Sequence, residues 1–322
     1  MSCVIGVDLG GTKTAAAVVD AAGTVGPVRT VATPAHEGPE VILDTVATLV
    51  TAVAQDAAAK ARAAGRAAPT VRAVGIGTAG VVDVVAGTIV SATDAITGWP
   101  GTDVAGGVGR RLAPELGELP VFVENDVDAH AAGEAWLGAA AGSPSALVIA
   151  VGTGVGGSVV LGGRALRGAH HVAGEMGHVP TPGAEGLRCP CGRPGHLEAL
   201  GSGPALHRHY LALGGDAASP DTRDVVARSG AGEVLAVRAV RESAAAVGRA
   251  TAGIVTVLDP AVVVVGGGMA GAGPIWWEAM ETALRAELVD VLAGVPVRPA
   301  ALGGAAAIVG AARGAWDLLA AR

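Results

Sequence analysis

One motif occurs twice in this 322-residue chain, about half a chain apart: a buried strand, a glycine turn and a second strand. The first copy has apolar residues at 4–7, the turn Gly10-Gly11-Thr12 and apolar residues at 16–19. The second has apolar residues at 146–151, a glycine-rich turn at 152–157 and a strand pattern at 158–161. Glycine allows such turns because it lacks a Cβ. The repetition predicts a duplicated unit.

Helical and strand patterns alternate through the rest of the chain. Pro39 opens a long helix with Ile42, Val46, Leu49 and Val53 on one face, and Gly65 ends it. Further strands are predicted at 25–32, 71–77, 121–123 and 261–265, and further helices at 235–257, 275–288 and 305–319. Strands that alternate with helices indicate an α/β protein.

Composition and charge exclude several classes of protein. Hydrophobic residues make up 51% of the chain and charged residues 16%, which excludes intrinsic disorder. The net charge of −7 and an aromatic content of 2% argue against binding to nucleic acid or to an anionic membrane. The start has no basic region typical of a secretory signal, and three cysteines are too few for a disulfide scaffold. A cytoplasmic protein is expected.

The first turn is a candidate phosphate site. Gly10 and Gly11 would let backbone amides approach a phosphate, with Thr12 and Lys13 beside them. Asp8, at the end of the preceding strand, could hold Mg²⁺ through water. An ordinary hairpin, in which Asp8 and Thr12 only cap the turn, explains the same residues.

Two later glycine runs carry similar alternatives. Residues 152–157 fit G-x-G-x-x-G, but a strand pattern follows where a dinucleotide-binding motif needs a helix. The run is therefore interpreted as a second phosphate-facing hairpin, with Thr153 and Gly154 at its centre. Gly267 and Gly268 follow a buried strand, where an adenine or ribose could lie against the backbone or where the chain simply turns into a helix.

Polar residues Glu124-Asn125-Asp126 end a hydrophobic strand, at the sheet edge where ligands bind in open α/β folds. Asp126 could accept a proton from a substrate hydroxyl while Asn125 orients the ligand. Alternatively, an aspartate here caps the following helix. Asp128 is the expected cap, which leaves Asp126 available.

Four residues have the spacing of a metal site: His178, Cys189, Cys191 and His196. Two thiolates and two imidazoles complete the tetrahedral shell of zinc without an open position, so a structural Zn²⁺ is predicted. The alternative is a loop with unliganded polar residues. Cys3 is expected to be a small buried residue.

These residues together resemble the ROK family of bacterial sugar kinases and repressors. The resemblance spans essentially the whole chain, and its matching segments are 8–14, 77–83, 124–126, 152–157, 174–178, 189–198 and 265–268. It implies a two-lobed actin/hexokinase-like ATPase fold (duplicated ribonuclease H-like) with a zinc-binding loop. The implied small lobe is 1–119, with a C-terminal helix at 304–322 packed back on it; the large lobe is 120–303.

The resemblance implies an ATP-dependent hexose 6-kinase with Asp126 as general base, Asp8 serving Mg²⁺ and the two hairpins holding phosphates. Its sugar-binding positions are Gly80, Asp94, Asn125, Asp126, Glu175, His178 and Glu198. His178 would use one ring nitrogen on zinc and the other toward the sugar. Relatives form dimers or tetramers, so a homo-oligomer is expected.

Three departures from the family pattern bear on the metal and the substrate. His196 stands where the fourth zinc ligand is usually cysteine, and the loop after His178 is one residue longer. Asp94 replaces a sugar-contacting asparagine. A carboxylate only accepts hydrogen bonds and attracts cations, so one hypothesis is a substrate with an amine, such as glucosamine or kanosamine. Otherwise Asp94 accepts from a sugar hydroxyl, and glucose, mannose and N-acetylhexosamines also fit.

Three other functions compete with an ATP-dependent kinase. A ROK regulator carries a DNA-binding helix-turn-helix before the first strand, and here that strand begins at Cys3. A non-catalytic sugar-binding protein would not need Asp126 and both phosphate hairpins. A polyphosphate donor in place of ATP would be expected to bring a basic tract, which the sequence lacks.

Overall fold

The computed structural model describes residues 2–93 and 95–321. The strands are β1 (Ser2–Leu9), β2 (Lys13–Val19), β3 (Arg29–Ala32), β4 (Thr70–Thr78), β5 (Val81–Asp83), β6 (Thr88–Ser91), β7 (Val121–Asn125), β8 (Ser145–Val151), β9 (Val155–Leu161), β10 (Arg164–Ala165), β11 (Val262–Gly266) and β12 (Val297–Pro299). The α-helices are α1 (Pro39–Ala63), α2 (Val104–Leu116), α3 (Asp126–Leu137), α4 (Glu198–Gly201), α5 (Gly203–Ala212), α6 (Thr222–Gly230), α7 (Val234–Leu258), α8 (Pro274–Glu287) and α9 (Ala306–Ala320).

The chain forms two compact units. The first comprises Met1–Gly142, Gly163–Val172 and Gly304–Arg322, and the second comprises Ser143–Gly162 and Ala173–Gly303. The sequence prediction placed the first boundary after residue 119. The structure places β7 and α3 in the first unit, because β7 pairs with β4 and α3 packs against α9.

The first unit is built on a five-stranded sheet in the order β3-β2-β1-β4-β7. β1 and β2 form an antiparallel hairpin, whereas β1, β4 and β7 are parallel. The parallel strands therefore bring their carboxyl ends to one edge, where Asp8, Thr78 and Asn125 lie. The apolar face of α1 is buried against this sheet, as its helical pattern predicted.

The C-terminal helix α9 packs on β1, β4 and α3 at backbone distance. A Cβ added to Gly75 would lie 1.8 Å from the carbonyl oxygen of Ala311, and one added to Gly310 would lie 1.7 Å from that of Ala129. No side chain fits in such gaps. Glycine at these positions lets α9 fix the direction of α3.

The second unit contains a sheet in which β9, β8, β11 and β12 are neighbours in that order. β8 is antiparallel to β9 and parallel to β11, which is parallel to β12. α7 is buried along one face and packs against α8 over the core of this unit. The predicted helices at 235–257 and 275–288 and the strand at 261–265 agree with α7, α8 and β11 to within one or two residues.

One helix of the described residues, α1, has the length and the apolar composition of a membrane span. Its buried residues belong to the hydrophobic core of the first unit. Length and hydropathy alone are weak evidence for a membrane span, since the core helix of a soluble protein passes the same test.

Candidate functional site

The turn after β1 is held by its own backbone and by a neighbouring threonine. The Gly10 amide donates to the Lys13 carbonyl at 3.1 Å, and the Thr33 amide donates to the Thr12 carbonyl at 3.0 Å. The Thr33 hydroxyl also donates to the Gly10 carbonyl at 2.7 Å. The side chains of Thr12 and Lys13 remain exposed. The turn is thus fixed in shape and presents a hydroxyl and a cation to a ligand.

Asp8 is half-buried at the end of β1, beside this turn. Burial is the main cause that raises its pKa to about 6, and the nearby carboxylate of Asp126 raises it further, while Lys13 opposes the shift. The two carboxylates therefore interact within the first unit. Such a pair attracts a divalent cation, because the cation removes the repulsion between them.

Asn125 caps α3 and ties it to the preceding strands. Its Oδ1 accepts hydrogen bonds from the Val127 amide at 2.8 Å and the Asp128 amide at 3.2 Å. Its Nδ2 donates to the Gly80 carbonyl at 2.9 Å. The prediction that Asp128 is the cap is wrong: Asn125 is the residue with extended backbone before the first turn, and Asp128 already lies inside the helix.

Asp126 is the first residue of α3, and its Oδ1 accepts from the Val127 amide at 2.9 Å. Burial raises the pKa of Asp126 above its usual range, although the backbone amides of the helix start lower it. The helix N-terminus favours the ionised form. The structure thus leaves Asp126 outside the cap, with a carboxylate that takes up protons more readily than an exposed aspartate.

The backbone at Gly80 is fixed by its surroundings. Its φ is 104°, and an added Cβ would lie 2.8 Å from the Ser91 carbonyl oxygen. The buried indole of Trp99 donates to the neighbouring Ala79 carbonyl at 3.2 Å. The predicted sugar contact Asp94 lies outside the described residues.

In the second unit, the turn between β8 and β9 is shorter than predicted. The Gly152 amide donates to the Gly154 carbonyl at 2.8 Å, and β9 begins at Val155. The last two glycines of the predicted turn lie in the strand, where an added Cβ at Gly157 would meet Met176 at 2.7 Å. Thr153 and Gly154 remain at the turn, as predicted.

Glu198 supports this turn directly. Its Oε2 accepts from the Val155 amide at 2.8 Å, and a Cβ added to Gly154 would lie only 2.6 Å from the same oxygen. The structure therefore brings the predicted sugar residue Glu198 against the predicted phosphate turn. The short helix α4 begins at this glutamate.

The segment that carries Glu175 and His178 lies flat against β9. A Cβ added to Gly177 would lie 1.9 Å from the Val155 carbonyl oxygen, and one added to Gly174, whose φ is 94°, would lie 2.5 Å from that of Gly157. The Nε2 of His178 lies 3.8 Å from the Glu175 carboxylate. Both side chains are more than a third exposed, which leaves them accessible to a ligand.

The predicted metal ligands come together in the second unit. The ligand atoms of His178, Cys189, Cys191 and His196 all lie within 4.8 Å of one another. The Nδ1 of His178 is 3.6 Å from the Cys189 sulfur, and the Nδ1 of His196 is 3.2 Å from the Cys191 sulfur. Burial raises the pKa of the Cys189 thiol to about 11. A thiolate there needs a bound cation, and this two-sulfur, two-nitrogen set suits zinc.

The second unit also contains a cavity of about 550 Å³ that adjoins the Gly152 turn. Its lining includes the predicted residues Thr153 and Gly268, and it also includes residues that sequence reasoning missed: Gly203, Pro204, Asp221, Thr222, Arg223, Val226, Met269, Gly271 and Ala272. The predicted residue Gly267 is not among the lining residues; its φ is 82°, and an added Cβ there would lie 2.3 Å from the Val151 carbonyl oxygen. The local signals for the missed part are helix-start patterns, at Ser202, which caps α5, and at Asp221, which caps α6.

The model of the ROK family matches residues 4–317 of the chain. The chain belongs to the ROK family. A glucokinase from Streptomyces coelicolor is 34% identical over 339 residues, which cover 97% of each chain. An N-acetylmannosamine kinase from Escherichia coli O139:H28 is 32% identical over 311 residues, covering 94% of this chain and 96% of that protein. The predicted resemblance to ROK family sugar kinases is confirmed.

Solved structures of ROK proteins have the same fold. A ROK hexokinase from Thermus thermophilus matches with a TM-score of 0.82 at 37% identity, covering 99% of this chain and 100% of that one. A ROK family glucokinase from Streptomyces griseus, in complex with glucose and AMPPNP, matches with a TM-score of 0.79 at 32% identity, covering 97% and 98%. With the mixed sheets of the two units, these neighbours fit the predicted α/β, actin-like ATPase fold.

Proposed function

We propose that this ROK protein transfers the terminal phosphoryl group of ATP to the 6-hydroxyl of a glucopyranose-type hexose, with Asp126 as general base. The observation that carries the proposal is the placement of Asp126. It begins α3 next to a capping Asn125, which is bonded to the Gly80 carbonyl, and its carboxylate interacts with that of Asp8.

The raised pKa of Asp126 suits this role. A general base works best when its pKa lies near the working pH, since it then combines ionisation with proton affinity. Burial supplies the shift, and the Val127 amide holds one carboxylate oxygen in place. A sugar hydroxyl would lose its proton to this carboxylate as its oxygen attacks the γ-phosphorus of ATP. The bond from that phosphorus to the bridging oxygen of ADP would break, and ADP would be released.

The first unit offers candidate positions for Mg²⁺ and phosphate, and the second unit offers one for the adenosine group of ATP. Asp8 and the turn at Gly10 to Lys13 combine a carboxylate for Mg²⁺ with a hydroxyl and an ammonium for phosphate oxygens. The turn at Thr153 adjoins the 550 Å³ cavity of the second unit, which is large enough for an adenosine group. Phosphoryl transfer depends chiefly on such positioning and on charge neutralisation.

Glu175, His178 and Glu198 are the proposed sugar-binding residues of the second unit. A Zn²⁺ held by His178, Cys189, Cys191 and His196 would take no part in the chemistry. It would fix the orientation of the His178 ring and hold the loop that connects Glu175 with Glu198. The Nε2 of His178, on the other side of the ring from the cluster, would then be available to a sugar hydroxyl.

The proposal has two versions, which differ in the identity of the sugar substrate. The similarity to glucokinases supports glucose, whereas the N-acetylmannosamine kinase relative and the carboxylate of Asp94 support an amino sugar or its derivative. A free amine would be attracted by Asp94 as a cation. Asp94→Asn is therefore expected to lower kcat/KM for glucosamine and kanosamine more than for glucose.

A coupled assay of ADP release over a panel of glucose, mannose, glucosamine, kanosamine, N-acetylglucosamine and N-acetylmannosamine tests the proposal. Asp126→Asn is expected to lower kcat by about 10²- to 10⁴-fold, the usual contribution of a general base. Asp56→Asn, at an exposed ion pair with Arg29, is the matched control and should be unaffected. Undiminished ADP release in Asp126→Asn would overturn the assignment of the base.

The same panel addresses the alternative functions. Sugar binding measured by calorimetry without any ADP release would favour a sugar-binding protein or a ROK regulator over a kinase. Turnover with polyphosphate but not with ATP would change the donor and leave the base in place. The cytoplasmic location and the homo-oligomer stay predictions, which fractionation and light scattering can test.

A further inference from the structure

Arg167 binds two carboxylates that stand on either side of Asp126 in the sequence. Its Nη2 pairs with Glu124 Oε2 and its Nη1 with Asp128 Oδ2, each at 2.5 Å. Glu124 lies in β7 and is 1% exposed, and Asp128 lies in the first turn of α3. The guanidinium therefore joins the end of the strand to the start of the helix, across the Asn125-Asp126 pair.

The cluster of Arg167, Glu124 and Asp128 is largely buried and contains two acidic groups for one basic group. The side chain of Arg167 is only 27% exposed, and it faces two carboxylates with one charge. Glu124 Oε1 is buried without a hydrogen-bond partner among the described residues. Burial raises the pKa of Glu124 to about 7 against the attraction of Arg167. Loss of the guanidinium would remove the cation that pairs with both of these poorly hydrated carboxylates.

The charge of Asp128 also reaches Asp126, whose pKa it raises. The other charged groups around this cluster include Asp317 on α9, which acts on Glu124, and Asp8 on β1, which interacts with Asp126. Asp317 itself pairs with Arg313 and Arg164. Arg167 is the cation that pairs directly with both carboxylates flanking Asp126.

We propose that Arg167 is a positioning residue for Asp126: it fixes the junction of β7 and α3 and neutralises the flanking carboxylates, so that Asp126 is ionised when the sugar binds. The inference rests on the proposed function of Asp126 as general base. It gives a role to a residue that sequence reasoning did not single out. Its bidentate geometry also explains why arginine rather than lysine stands there.

The test is the pH profile of kcat/KM for the best sugar of the panel. Its acidic limb reports the ionisation of the base. Arg167→Gln is expected to move this limb upward by about one pH unit, which lowers kcat/KM about tenfold at pH values below the limb. Arg167→Lys should keep the limb near its original position because the charge remains. Arg110→Gln, an exposed arginine of the same unit that pairs with Asp103, is the control and should change nothing.

Charge compensation separates electrostatics from simple loss of structure. Asp128→Asn combined with Arg167→Gln removes one charge of each sign, so the limb should return toward its original position. Asp128→Asn alone keeps the guanidinium and should move the limb downward, which gives a test even where Arg167→Gln does not fold. Folding is checked by circular dichroism for each variant.

Specific results would overturn the inference. One is an acidic limb within about 0.3 pH unit of wild type in a folded Arg167→Gln enzyme; another is an unchanged limb in Asp128→Asn. Either result, with Asp126→Asn inactive, rejects the role of Arg167 and keeps the base. An active Asp126→Asn enzyme rejects the base itself, which distinguishes the two failures.

Discussion

Gly177→Ala offers a sharp test of how the second unit positions its proposed sugar residues. Gly177 lies between Glu175 and His178, where the segment crosses the backbone of β9. An alanine Cβ would lie 1.9 Å from the Val155 carbonyl oxygen, whereas real Cβ contacts are essentially never shorter than 3.0 Å. Gly177 does not have a positive φ, so the effect of alanine is due to this contact and not to backbone strain.

The size of the effect follows from the missing space. The segment has to move away from β9 by about 1 Å, and Glu175 and His178 move with it. A misplacement of about 1 Å can reduce catalysis about 10²-fold, while overpacking of this kind costs about 1–3 kcal/mol of stability. The expected result is therefore an enzyme that folds but has kcat/KM for sugar reduced about 100-fold.

Coupled ADP-release kinetics and urea unfolding measure the two effects separately. Gly253→Ala is the control, because Gly253 lies in the exposed part of α7 with no atom within 4 Å of an added Cβ. It should leave kinetics unchanged and raise stability by about 0.5–1 kcal/mol. The reasoning is refuted if Gly177→Ala has wild-type kcat/KM and wild-type stability.

Three further predictions concern charge and metal. The pKa of Glu124 is about 7 in the folded protein against an ordinary value of 4.5, so the free energy of unfolding should fall by up to about 3 kcal/mol as the pH rises from 4.5 through 7. Urea unfolding of Glu124→Gln should show a flatter dependence on pH. A dependence identical to that of the wild type would contradict the burial argument. Mg²⁺ at Asp8 must compete with protonation of a carboxylate whose pKa is about 6, so the Mg²⁺ concentration for half-maximal rate should be about fourfold higher at pH 5.5 than at pH 7.5. A Mg²⁺ requirement that does not change with pH would contradict this placement of Mg²⁺. Metal analysis of the purified protein should find roughly one zinc ion per chain, which is lost in Cys191→Ala and retained in His196→Cys. If both variants retain zinc, this ligand set is excluded.

Elements with a local pattern were predictable from the sequence. The two hairpins follow from glycine turns between apolar runs, and α1 follows from its 3.6-residue periodicity. Two errors came from interactions that are distant in sequence. The first unit extends past residue 119 because β7 pairs with β4, and the second turn ends at Gly154 because Gly157 belongs to a strand packed against Met176.

In the candidate site too, features with a local sequence pattern were predictable and features built from distant segments were not. The metal cluster was predictable because its ligands lie within one loop and have a characteristic spacing. The cavity beside Thr153 was not, because α5, α6 and the turn after β11 contribute single residues to it. Arg167 was missed for the same reason: nothing in its local sequence indicates partners at Glu124 and Asp128, about 40 residues earlier.

The catalytic proposal depends on how rigidly the start of α3 is held, and three different interactions act there. Asn125 caps the helix and bonds to the strand region at Gly80. Arg167 bridges the helix to β7. Further along, α9 contacts α3 so closely that only glycine fits at position 310. Each fixes a different degree of freedom: the cap sets the entry of the chain, the ion pairs set its angle to the strand, and the glycine contact sets the helix axis. A carboxylate held in this way has little freedom to reorient, so its proton affinity and its direction are set before a substrate binds.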